Sequence, residues 1–272
     1  VDKLIITAAL TGAETTKEAN PALPVTPQEI IESACRSAEA GASIVHLHAR
    51  NPDGSSTQAV EVYEEIITGI RERSDVIVQV STGGAVGMTS RERLQPVTLK
   101  PDMATLSTGS VNFGDDLFVN TMEDIRIFAK TMVELGVKPE IEAFDTGMVQ
   151  NALTLVREGI LELPLHFDFV LGVPGAMPGT PEALMYMQSL LPPGCTWTVA
   201  GIGRAELPLG VMAIILGGHA RVGLEDNIYY KRGQLTKGNE ELVARIARLA
   251  AELGREVATP AEARKILNLG GK

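Results

Sequence analysis

A closed (β/α)8 barrel of the α/β class, the TIM-barrel form, is predicted by three observations. Short apolar segments alternate with amphipathic ones along the whole chain. The alternation repeats as eight strand–helix units, each about thirty residues long. Polar and glycine-rich stretches fall after the strands rather than before them. Such alternation implies parallel strands joined by helical crossovers, and eight units suit a sheet closed on itself better than an open one. With 272 residues and 44% hydrophobic content, the chain has the size of a single barrel domain over 1–272, with an extra C-terminal helix.

The first strand spans 3–10 and leads into Thr11-Gly12-Ala13-Glu14. The helix after it starts at Pro27, with Thr26 as N-cap and Glu29 in its first turn. Ile30, Ile31, Ala34 and Ala38 keep helical spacing, and Gly41 ends it. The second strand, 43–50, carries His46 and His48, and its helix covers 58–73. The third, 76–80, opens into Ser81-Thr82-Gly83-Gly84, followed by a short helix over 90–99. The fourth, 103–106, runs into the polar stretch 107–110, and its helix over 120–135 stops at Gly136. The fifth, 140–144, precedes a helix over 148–158; the sixth, 166–173, precedes one over 181–191. The seventh, 196–200, ends in Gly201-Ile202-Gly203-Arg204 before a helix over 206–216. The eighth, 220–224, ends in Glu225-Asp226-Asn227, and helices over 239–253 and 260–267 complete the chain.

A formal net charge of −10 argues against nucleic acid or an anionic membrane as the main partner, so an anionic ligand would need a local basic pocket. Cys35 and Cys195 lie far apart with no CxxC pair, which fits a reducing cytoplasm. No basic segment followed by an apolar run opens the chain, and no apolar stretch approaches ~18 residues, so a soluble protein is expected. There is no GxxxxGK[ST] loop, and Gly201-x-Gly203 lacks the third glycine of a dinucleotide fingerprint.

The chemistry concentrates at the strand ends where barrels place their active sites, with Glu140, Glu142 and Asp145 on the fifth strand counted there, and most strand bottoms carry nothing comparable. His46 and His48 stand two residues apart in an apolar strand and therefore point the same way. Taken alone they are either hydrogen-bonded core histidines or the first two ligands of a divalent metal. Glu225 supplies a third ligand, sharing a face with Arg221 and Gly223; its alternative role, with Asp226, is as a cap pair before a loop. A His2Glu set leaves an open position, the mark of a catalytic rather than structural site. Arg221 is too costly to bury unpaired, and Asp226 or Glu225 would pair with it. It is either a structural ion pair or a group that orients a catalytic carboxylate or stabilises enolate charge. The turn at 81–84 offers hydroxyls and backbone N–H groups to a carboxylate or carbonyl. His166 and His219 open their strands at the opposite end of the barrel and are expected to be structural.

With these residues laid out, the chain resembles the β-keto acid cleavage enzymes over its whole length. The resemblance rests on ITAALTGAETT at 6–16, HLHAR at 46–50, STGGAVG at 81–87 and NFGDD at 112–116. It continues in FVLGVPG at 169–175, VAGIGR at 199–204, RVGLEDNIYY at 221–230 and ATPAEARKIL at 258–267. It implies a homotetrameric barrel using one divalent metal, normally Zn2+, with acetyl-CoA as co-substrate. The implied metal ligands are His46, His48 and Glu225, and the implied catalytic pair is Arg221 and Asp226. Ser81, Gly84 and Thr105 are implied to hold the substrate, and Glu14 its distal ammonium group, which points to 3-keto-5-aminohexanoate. Lys17, Arg50 and Arg204 are available for the phosphates of CoA, and the sequence does not choose among them. The competing expectations are another β-keto acid, a metal-dependent hydrolase or aldolase that needs no CoA, and a non-catalytic metabolite-binding barrel.

Overall fold

The computed structural model describes residues 2–270; residues 1, 271 and 272 of the expected domain lie outside the described residues. Eight parallel strands close into a barrel: β1 (Ile6–Ala9), β2 (Ile44–Leu47), β3 (Ile77–Val80), β4 (Met103–Ser107), β5 (Lys138–Ala143), β6 (His166–Leu171), β7 (Thr196–Gly201) and β8 (His219–Val222). Around the ring each strand pairs with its neighbour in sequence, and β8 returns to β1 with Ile6 opposite Ala220. The outer layer is built from α1 (Pro27–Glu39), α2 (Val60–Arg71), α3 (Ser90–Arg93), α4 (Met122–Leu135), α5 (Thr146–Arg157), α6 (Pro181–Ser189), α7 (Glu206–Leu216) and α8 (Asn239–Glu252).

Several helices begin where the sequence provides side-chain acceptors for unpaired N–H groups, whereas α2, α7 and α8 have none. Thr26 caps α1 with Glu29 in a reciprocal capping box, and Thr121, Asp145 and Thr180 cap α4, α5 and α6. The strands are buried on both faces, which is why they read as apolar runs rather than alternating ones. The extra helix, α9 (Pro260–Ile266), crosses the floor of the barrel. Ala258, Ala263 and Leu267 pack there on Ile5, Ile44, Ile77 and Met103.

Three two-stranded hairpins, in stretches whose pattern predicts only loop or a longer strand, stand above the strand ends. They pair 49–50 with 56–57, 111–113 with 116–118, and 229–231 with 234–235. The second brings Phe113 and Phe118 against Phe144, each pair of ring centroids 6.4 Å apart. Arg93 of α3 holds this hairpin down. Its guanidinium lies 4.8 Å from the Phe118 ring centroid, donates to the Thr82 and Val119 carbonyls, and reaches the Asn120 side chain.

One expectation needs correction. The floor of the barrel was expected to carry no chemistry comparable to the rim, and Glu140 was placed with the rim residues. Glu140 instead sits on the lower layer, buried, with Oε2 3.0 Å from His166 Nε2. Alternation along β5 turns both Glu140 and Glu142 inward, but it does not say at which depth each lies. His219, also buried, accepts the Ile5 N–H through Nδ1 at 3.1 Å, a structural role as expected.

Candidate active site

In β2, His46 sits in register with Gln79 of β3. The strand ends at Leu47, so His48 lies one residue beyond it instead of inside a strand continuing to residue 50. The Asn51-Pro52-Asp53-Gly54 turn folds the chain back, and Ala49 and Arg50 pair in the first hairpin. Even so, the two imidazoles meet edge to face with centroids 5.3 Å apart.

Glu225 arrives by a turn rather than by strand alternation. β8 stops at Val222, and Gly223 has φ of 152° with the position of a Cβ only 2.1 Å from the Ala9 carbonyl oxygen. A side chain has no room there, so glycine is required where the chain crosses the end of β1. The N–H groups of Asp226 and Asn227 both donate to the Gly223 carbonyl, at 3.0 and 2.9 Å, and fix the turn. Glu225 Oε1 then lies 3.5 Å from Nε2 of His46 and 3.5 Å from Nε2 of His48. One candidate donor atom from each residue lies within 4.8 Å of the others.

These three residues fit a divalent cation on two grounds. His46 Nδ1 is 2.7 Å from Gln79 Oε1, so Nδ1 donates and Nε2 turns its lone pair to the site. His46 Nε2 and Glu225 Oε2 are buried and lack any hydrogen-bond partner, as atoms reserved for a ligand would be. Charge points the same way. Arg221 is fully surrounded by carboxyl groups: Asp226 at 2.8 Å, Glu225 at 2.6 Å, Asp168 at 3.3 Å and Glu142 at 3.8 Å. One guanidinium does not balance these four carboxyl groups when all are ionised, and a bound cation would reduce that excess.

The titrating groups divide accordingly. Burial favours the protonated forms of both Asp168 and Glu142, pushing Asp168 well up and raising Glu142 against the opposite pull of Arg221. Glu225 is held well below the usual carboxylate range: burial opposes ionisation, but Arg221 and both histidines outweigh it. Burial lowers His48 to about 4. It also opposes charge on His46, but the Glu225 carboxylate more than offsets this and raises it, so a cation would compete with a proton there. Asp226 is raised by burial although its two oxygens accept from Arg221 Nε and NH2 at 2.8 and 2.9 Å.

These groups border a cavity of about 270 Å3 at the C-terminal mouth of the barrel, roofed by Phe113, Phe118 and Phe144. His48, Glu142, Arg221, Glu225 and Asp226 line it, together with Glu14, Ser81 and Gly84. Glu14 is exposed and makes no hydrogen bond or ion pair among the described residues. Thr105 is placed differently. It is fully buried behind the turn, where its Oγ1 accepts the Thr82 N–H at 3.2 Å, so it shapes the wall without facing the cavity. Gln79 and Asp168 were not singled out from sequence. The signal was present in both cases: a polar residue stands between apolar ones in each strand, Gln79 in IVQV and Asp168 in HFDFVL.

A parallel barrel with an acid-rich, metal-compatible cavity at its C-terminal mouth is the architecture of an enzyme. Comparison with known proteins is more specific. A model of the beta-keto acid cleavage enzyme family matches residues 3–269. A 3-keto-5-aminohexanoate cleavage enzyme of Fusobacterium nucleatum is 55% identical over 271 residues, 99% of each chain. A 3-oxoadipate:acetyl-CoA acetyltransferase of Cupriavidus necator is 43% identical, over 97% of this chain and 94% of its own. Among solved structures, a ternary complex of ObcA with a C4-CoA adduct and oxalate superposes with a TM-score of 0.78. It shares 22% identity, over 92% of this chain and 68% of that one, and supports the fold alone. The chain belongs to the β-keto acid cleavage enzyme family.

Proposed function

We propose that the chain converts 3-keto-5-aminohexanoate and acetyl-CoA to acetoacetate and 3-aminobutyryl-CoA, a step of lysine fermentation. The observation that carries this choice of substrate is Glu14, a carboxylate on the cavity wall that feels Arg50 from a distance but makes no direct ion pair among the described residues. A distal ammonium group would complete it with a charge-assisted contact remote from the reacting carbons. Among the described residues no helix is long and apolar enough to cross a membrane.

His46, His48 and Glu225 would hold the cation, zinc by the preference of a His2Glu set with an open position. When bound, it supplies Lewis-acid polarisation of the keto group. Ser81 and the backbone at Gly84 orient the substrate carboxylate, on a turn braced by Thr105. Asp226 removes the proton from the carbon between the keto and carboxylate groups, and Arg221 faces the enolate charge. That carbon bonds to the acetyl carbon as the C–S bond of acetyl-CoA breaks. The released thiolate adds to the original keto carbon. Cleavage of the old carbon–carbon bond then gives 3-aminobutyryl-CoA, and acetoacetate recovers the proton from Asp226.

The test is acetoacetate formation by purified protein from 3-keto-5-aminohexanoate, with and without acetyl-CoA. Product is expected only with the thioester, and equal product without it would exclude the transferase reading. Residues 1–272 acting as one cytoplasmic domain in a homotetramer completes the proposal. Free Cys35 and Cys195 fit a reducing compartment, and exposed Met185, Tyr186 and Ile215 on α6 and α7 leave apolar surface for a subunit contact.

A further inference from the structure

Three cations near the mouth were open candidates for the phosphates of CoA, and their surroundings now separate them. Lys17 is taken by Glu29, with Nζ 2.5 Å from its carboxylate. Arg50 is buried and spends its guanidinium on the carbonyls of Gly12, Thr15 and Gly54, bracing the loop that carries Glu14. Arg204 is exposed and has no ion pair or hydrogen bond among the described residues.

Arg204 stands on the short 3-10 turn Gly203–Ala205 directly after β7, at the edge of a second depression of about 1040 Å3. The hairpin after β8 forms its other border with Tyr229, Lys231 and Arg232. Lys231 and Arg232 are likewise exposed and unpaired among the described residues. At the groove's edge Arg245 is already committed: it is 3.1 Å from Glu206 and stacks on Tyr230 at 4.7 Å. Three uncommitted cations around one groove, in a chain of net charge −10, are a local anion site rather than a general surface property.

The groove adjoins the catalytic cavity. Ile202 and Asp226 line the cavity, while their neighbours Gly203 and Asn227 line the groove, and the Gly203 N–H donates to the Asp226 carbonyl at 2.7 Å in the wall between them. Loops after the seventh and eighth strands are also where barrels most often bind phosphate. We propose that this groove binds the 3′-phosphoadenosine diphosphate end of acetyl-CoA, with Arg204, Lys231 and Arg232 on the phosphates and the exposed Tyr229 ring under the adenine. The pantetheine arm then passes over the Gly203–Asp226 contact to put the thioester beside Asp226. This rests on the acetyl-CoA reading above.

The experiment uses the triple variant Arg204→Ala/Lys231→Ala/Arg232→Ala, checked for an unchanged thermal melting point, against the unaltered protein. CoA binding is measured by calorimetry, and kcat/KM is measured with acetyl-CoA and with S-acetyl-N-acetylcysteamine, which has the thioester but no nucleotide. The expected result is a rise of about 30-fold in the Kd for CoA, on the order of two or three screened charge-assisted contacts. The kcat/KM ratio of acetyl-CoA to the short thioester should fall by a similar factor. If the unaltered protein binds CoA and the variant binds it equally, the groove assignment fails while the cleavage reaction stands. If the unaltered protein neither binds CoA nor uses either thioester, both fail together.

Discussion

His46 Nδ1 lies 2.7 Å from Gln79 Oε1, a contact that joins two adjacent barrel strands and decides which imidazole nitrogen faces the cavity. Without it the ring is free to rotate or to change tautomer. Gln79→Leu should therefore weaken divalent metal binding by about 10- to 100-fold while the barrel stays folded. Competition against a chromophoric chelator reads this directly. An unchanged affinity would mean that the strand backbone alone orients His46.

Asp226 is the carboxyl assigned to proton transfer, and Asp226→Asn keeps its shape while removing its basicity. Turnover should fall by about 10²- to 10⁴-fold. Deuterium exchange at the carbon between keto and carboxylate groups, followed by NMR without thioester, should cease. Metal content measured on the same sample separates this role from disturbance of neighbouring Glu225. Persistent exchange would move the base to Glu142, the other buried carboxyl on the cavity wall.

Glu14 makes no ion pair among the described residues, and its contribution depends on what the substrate brings. Glu14→Gln should lower kcat/KM for 3-keto-5-aminohexanoate by about 10- to 100-fold, the range of a lost charge-assisted contact. A β-keto acid without an ammonium group should lose less than about 3-fold. Equal losses on both would make Glu14 a structural residue.

Stability in acid should depend on α9. The Thr259 backbone N–H, helped by the Lys3 ammonium, holds the exposed Glu262 carboxyl at about 2 instead of 4.5. A carboxyl lowered in the folded state stabilises fully above its unfolded value and loses that contribution as pH falls toward the folded one. The urea midpoint of the unaltered protein should thus exceed that of Glu262→Gln at pH 7 and at pH 5, with the gap closing between pH 4.5 and 2.5. A constant gap would assign the effect to packing.

The barrel itself was legible because its strands and helices differ in apolar period and its helices start at recognisable caps such as Thr26. The His46, His48 and Glu225 cluster was legible as residue types, but the paths that bring them together were not. His48 sits beyond its strand, and Glu225 depends on the backbone at Gly223, which no periodicity encodes. Glu140 shows the same limit: alternation assigned its face correctly and its height wrongly, because strand tilt and register set the layer. The hairpins above the mouth escaped because two- and three-residue strands carry too little pattern to register against turn residues. Without the hairpin after β8, the groove beside Arg204 could not have been foreseen.

The floor of the barrel also sets the order in which the molecule can be completed. β1 is flanked by β2 and by β8, so Ile6 meets Ala220 only after most of the chain has been made. The seal beneath Ile5, Ile44, Ile77 and Met103 comes later still, from Ala258, Ala263 and Leu267. On the ribosome, strands made early must wait with one edge unpaired and their lower ends wet, an exposure that grows with the length of the missing segment. Packing of α9 on that floor thus closes the molecule last, after His46, His48 and Glu225 have all been synthesised.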